Sequence, residues 1–243
     1  MQMIYQCIKN GLYIHLLTAL LYYTTNNAYI AWNVSIKLYS LNYFYWFGHL
    51  YSYLPNPKYN WIKQFIRFTD TGHMASLLPI FWKNAIPVCH NVHFLIMAGY
   101  WIGKVAFGLK DSDRLDSTIS KSILEWNIDL CTYIHHSIPY ILILILCREQ
   151  MSDKKRICSY EYQESTLFYS YLWLYCWFFF IYLPWRLYTK DYVYSILDCK
   201  QTPLHITLGF VCIVHFILYL ANQILFIDCF FYNIDPQWLM NEF

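Results

Sequence analysis

Long apolar runs separated by short polar connections dominate the chain. A membrane-spanning helix needs about 20 mostly apolar residues. Six runs fit or approach that pattern: 11–32, 66–86, 91–109, 123–147, 167–188 and 204–227. The first is weakened by Thr24, Thr25, Asn26 and Asn27. The aromatic stretch 41–54, "LNYFYWFGHLYSYL", reads as an interfacial segment rather than a span. None of the runs alternates as a barrel strand would, and in lipid only helices or closed barrels satisfy their own backbone. The pattern predicts an all-α class: a polytopic integral membrane helical bundle of about six transmembrane helices, as a single domain over 1–243. At the N-terminus, "KNGLYIHLLTALLYY" is followed by no small-residue cleavage site, so it reads as a retained helix or anchor.

The connections are short. "LPNPKYN" (54–60) is a turn with two prolines, 110–121 and 148–165 are polar loops, and 190–203 joins the last two runs. Chemistry therefore has to sit within the bundle or at its edge. Composition agrees with a membrane class: 58% of residues are hydrophobic and 13% charged, where a soluble domain carries about 25% charged. The 25 tyrosines and 10 tryptophans suit a membrane–water interface. No basic block points to nucleic acid, so the expected partner is the lipid bilayer. The basic residues are divided between both sets of loops and do not fix the orientation. Asn33-Val34-Ser35 is a glycosylation triplet close to an apolar run. The nine cysteines form no C-x-x-C pair and lie largely in or beside apolar runs, where free cysteine acts as a small hydrophobe.

Polar groups inside apolar runs are candidates for function. "FTDTGHM" (68–74) holds Thr69, Asp70, Thr71 and His73, and also suits a capped helix start. His90 and His93, in "CHNVH", have i, i+3 spacing that fits a metal on one face; solvated histidines in an interfacial loop fit equally. His135 and His136 are adjacent, so on a helix they point about 100° apart and only one is expected to face a given cavity. Asp129 lies two turns before His136 on roughly the same face. His205, His215, Asn222 and Gln223 suit interhelical hydrogen bonding. The dense histidine motifs of a di-iron oxygenase do not occur. No metal and no cofactor are expected.

The order of these features resembles the family of the androgen-induced gene product and the androgen-dependent TFPI-regulating protein. "RFTDTG" (67–72), "WNIDLCTYIHHSIPYILIL" (126–144), "DYVYSIL" (191–197) and "LYLANQIL" (218–225) carry the likeness, across residues 60–227. Ser195 stands where the family has proline, and the spacing to Pro139 leaves both His135 and His136 as matches. The resemblance implies a six-span membrane hydrolase of lipid esters, cleaving fatty acid esters of hydroxy fatty acids, in the endoplasmic reticulum or another endomembrane. It implies Thr69 as nucleophile and His136 as base, with His135 as the alternate; His136 is preferred because it shares the face of Asp129. Asp129 or Asp70 would orient the histidine, and Gly72 would let an acyl chain approach the backbone. A non-enzymatic multi-pass protein, either a transporter or a partner-binding scaffold, is the alternative. No internal repeat favours the transporter.

Overall fold

A computed structural model describes residues 2–47, 62–108, 121–150, 153–190, 193–198, 200 and 202–232. The side chains of 121–129 and of Cys131 lie outside the described set. All described elements are helical: α1 Gln2–Thr25, α2 Ala28–Phe47, α3 Phe68–Ala75, α4 Leu78–Phe81, α5 Ile86–Phe107, α6 Lys121–Gln150, α7 Lys154–Ile157, α8 Tyr160–Cys176, α9 Leu183–Thr189, α10 Leu204–Leu225 and α11 Ile227–Tyr232. A π turn, Trp177–Tyr182, joins α8 to α9 without a break. It precedes Pro184, which has no N–H and crowds the carbonyl four residues back.

The apolar runs do not all become single helices. The run 11–32 is split where Asn26 takes a left-handed conformation (φ 48°), one that asparagine tolerates better than most residues. Asn27 Oδ1 then accepts the Ile30 N–H and caps α2. The two helices fold back on each other, bridged by Thr18 to Ser35 (2.7 Å) and Asn10 to Asn42 (3.0 Å). The run 66–86 is also not one helix. It is α3, a turn at Ser76–Leu77, the short α4, and a 3-10 turn Lys83–Ala85. Pro79 and Pro87 start new helices instead of extending old ones. Of the interfacial stretch 41–54, residues 41–47 continue α2 and the rest lies outside the described residues.

The remaining runs lie on helices. Run 91–109 falls mainly on α5, which ends at Gly108 in the left-handed conformation (φ 60°). Run 123–147 lies within α6, which carries Pro139 in its interior. Among the described residues two helices are long and apolar enough to cross a membrane: the continuous Tyr160–Thr189 and Leu204–Leu225. They correspond to runs 167–188 and 204–227.

Helix α5 is central and packs against α3, α6, α8 and α10. One core joins Tyr29 and Ile30 of α2 to Ile86 and Cys89 of α5 and Ile143 of α6. A second joins Leu95 of α5 to Leu174, Trp177, Ile217 and Leu218. Polar side chains lie inside: Lys37, Asp70, His73, His90, Asn91 and His93 are all buried. Large apolar side chains lie outside, as at Phe81 (87% exposed), Val105 (81%) and Phe180 (76%). Asn33 of the glycosylation triplet is wholly buried, its amide donating to Tyr29 O, so the folded chain has no room for a sugar there. A disulfide joins Cys158, just before α8, to Cys229 of α11. Cys89 and Cys147 are buried free thiols, as small hydrophobes would be.

Candidate functional site

A cavity of about 1170 Å³ opens between α1, α2, α3, α5, α6, α8 and α10. Thr69, Asp70, His135, His136 and Tyr194 line it, with mainly apolar and aromatic neighbours.

Thr69 occupies the first turn of α3. Its Oγ1 lies 3.5 Å from Nε2 of His136 on α6, the outer limit of a hydrogen bond, across 67 residues of sequence. The other ring nitrogen, Nδ1, is 2.7 Å from the Thr132 carbonyl one turn earlier. A carbonyl only accepts, so Nδ1 carries the proton. In a neutral ring Nε2 is then the acceptor, and the threonine hydroxyl donates to it. Tyr100 of α5 stacks on the His136 ring (centroids 4.0 Å, 11° between planes) and fixes its plane. The sequence assigned the orienting role to Asp129 or Asp70. The Thr132 carbonyl meets Nδ1, and the Asp129 side chain lies outside the described set.

The adjacent histidines separate as helical geometry requires, yet both line the cavity, contrary to the expectation that only one would. His135 Nε2 lies 2.7 Å from His73 Nδ1 on α3. Asp70 is buried and ion-paired with Lys37 of α2 at 3.0 Å. Neither Thr69 nor Asp70 caps α3 as the capping reading supposed. The cap residue is Arg67, with no side-chain capping bond, and the first N–H, that of Phe68, donates to the Tyr194 hydroxyl at 3.0 Å. The Tyr194 hydroxyl also engages the Thr69 side chain, and burial raises it above its ordinary pKa. It therefore remains a protonated donor at neutral pH.

Gly72 faces α5 and not the cavity. A Cβ there would overlap Ile96 Cδ1 and press on Val92 Cγ1 (3.1 Å). Its missing side chain serves helix packing rather than an acyl chain. His90 and His93 are not solvated loop residues; both are buried on α5. His90 contacts Asn91 and the Tyr140 hydroxyl. The expected interhelical bonding in α10 is present at two residues: Asn91 donates to Asn222 Oδ1 (3.0 Å), and His215 Nε2 meets the Tyr175 hydroxyl (2.7 Å).

Sequence reasoning missed Tyr194, Tyr100 and Lys37 as parts of this site. Lys37 had a usable signal, a lone lysine within "NVSIKLYSL". Tyr194 lay in a segment singled out only for its family likeness. Compared with known proteins, the chain matches no family model, no curated protein and no solved structure.

Proposed function

We propose that the chain is a multi-pass membrane protein of an endomembrane such as the endoplasmic reticulum, and that it hydrolyses lipid esters with Thr69 as nucleophile and His136 as base. The observation that carries the reading is the Thr69–His136 contact, with the histidine tautomer set by Thr132 O, at the wall of a large apolar cavity. The membrane part is supported by the two long apolar helices and by the many large apolar side chains exposed on the outside, with histidines and an ion pair buried within. The Cys158–Cys229 bridge favours a chain with one face in an oxidising compartment.

In this mechanism Thr69 Oγ1 attacks the ester carbonyl carbon as its proton passes to His136 Nε2. The developing oxyanion is met by the N–H groups of Thr69 and Asp70 in the first turn of α3, those of Phe68 and Thr71 being taken by Tyr194 and the Arg67 carbonyl. Tyr194, beside Thr69, is a further donor. The carbonyl–alkoxy bond then breaks, and His136 returns the proton to the leaving alcohol. Water, deprotonated by the same nitrogen, hydrolyses the acyl-threonine and restores the hydroxyl. The apolar lining accepts the acyl chain. Fatty acid esters of hydroxy fatty acids are the first substrate to try, from the resemblance of "RFTDTG" and the α6 segment.

The test is hydrolysis of such an ester by the full chain purified in detergent, together with labelling by a fluorophosphonate probe. We expect turnover and labelling in the parent chain, both lost in Thr69→Val and both retained in part in Thr69→Ser. His136→Ala should lose about 10²–10⁴-fold in turnover. Undiminished turnover in Thr69→Val sinks the mechanism. A properly folded parent chain with no turnover favours the non-enzymatic reading.

A further inference from the structure

His136 is one of four histidines that the fold gathers here. His73, His93 and His135 stand beside it, and the Thr69 chemistry uses none of them. Asp70 and His73, one turn apart on α3, face His135 of α6. One carboxylate oxygen and one ring nitrogen from each histidine all lie within 4.8 Å of one another. The rings of His73 and His135 are 4.2 Å apart, and His73 Nδ1 and His135 Nε2 share a hydrogen bond at 2.7 Å, which an ion bound by both rings would replace. Nε2 of the buried His73 has no hydrogen-bond partner among the described residues. His93, equally buried, stacks on His73 at 5.6 Å, and neither of its ring nitrogens has such a partner. Buried polar atoms are normally satisfied, so the bare nitrogens of His73 and His93, beside the Asp70 carboxylate and the His135 ring, call for a ligand.

We propose that Asp70, His73 and His135 bind a zinc ion at the cavity wall. One carboxylate oxygen and two imidazole nitrogens form the donor set of a catalytic zinc site, which leaves a coordination position for water or substrate. Magnesium and calcium favour all-oxygen sites and are poorly served by two imidazoles. Lys37, 3.0 Å from Asp70, acts as the outer donor that holds a ligating carboxylate in place. Asp70 and His135 both line the cavity, so an ion there is reachable from it. The sequence pointed away from metal because the ligands form no dense motif. His73 and His135 are 62 residues apart, and only the docking of α3 on α6 unites them. The proposal does not depend on the hydrolase reading, since metal content is measured without any substrate.

The experiment is elemental analysis of the full chain, expressed with added zinc, purified in detergent through a tag without histidines and dialysed against metal-free buffer. We expect about one zinc per chain, a content at least tenfold lower in the His73→Ala/His135→Ala double variant, and an unchanged content in His215→Ala. Cobalt(II) in place of zinc should give the intense visible bands of a four-coordinate site, which Asp70→Asn alters. Should the double variant fail to fold, the parent chain's metal content and cobalt spectrum decide alone. Less than about a tenth of a zinc per chain, a different bound metal, or full zinc in a folded double variant overturns the proposal.

Discussion

Tyr194 reaches the head of α3 from a connection, yet it does two jobs with one hydroxyl. It accepts the Phe68 N–H and engages Thr69. Tyr194→Phe removes both. An unmatched buried N–H costs about 1–3 kcal/mol, so thermal unfolding in detergent should come earlier. In the hydrolase mechanism turnover should fall by at least about tenfold more than the stability loss explains, seen in kcat rather than KM. An unchanged kcat would make Tyr194 a structural cap alone. Gly72 carries a different constraint. Gly72→Ala forces Ile96 and Val92 aside and should cost about 1–3 kcal/mol. Gly99, on α5 with open space around it, is the control: Gly99→Ala should be neutral or slightly stabilising in the same melt.

Between elements, the pairing of α2 with α3 rests on a charge contact buried from water. Lys37 and Asp70 have 3% and 2% side-chain exposure, so removing one partner strands the other. Lys37→Ala should destabilise by about 3–5 kcal/mol, while Lys37→Met with Asp70→Leu should recover much of the loss. A thermal melt of Lys37→Ala, of the Lys37→Met and Asp70→Leu single variants and of their double variant checks this, and additive losses in the last three would show that the two groups are not coupled. The same pair shows what the sequence concealed. Periodicity and length suffice for α5, α6, the α8–α9 helix and α10, because each is a long run with no interior break except Pro139 or the π turn. They fail at 11–32 and 66–86, where single residues override hydrophobicity: the left-handed Asn26, and Pro79 and Pro87 starting fresh helices. Of the site, Thr69 and His136 were legible as types in context, and the 100° separation of the histidine pair was legible from helical geometry. The pairing of Thr69 with His136 came only from the family resemblance, and the neighbours Lys37, His73 and Tyr194 were not legible, because they come from elements whose packing no local pattern encodes.

At the scale of the whole molecule, the described interior is mixed: two apolar cores enclose a minority of polar groups, and large apolar side chains also cover the outside. Histidines, asparagines and an ion pair are among those polar groups, and phenylalanine, leucine and valine face outward. In a bilayer the apolar outside matches its solvent. The Cys158–Cys229 bond has a consequence of another kind. It joins two cysteines 71 positions apart and closes the chain between them into a covalent ring containing α8, α9 and α10. Lys190 and Lys200 are exposed between α9 and α10, inside that ring. Brief trypsin treatment that cuts at either lysine should leave one band on a non-reducing gel and two once a reductant is added. Two bands without reductant would show that the ring is open. A nick within this ring is therefore a silent injury: the backbone is severed, but the two halves remain one molecule.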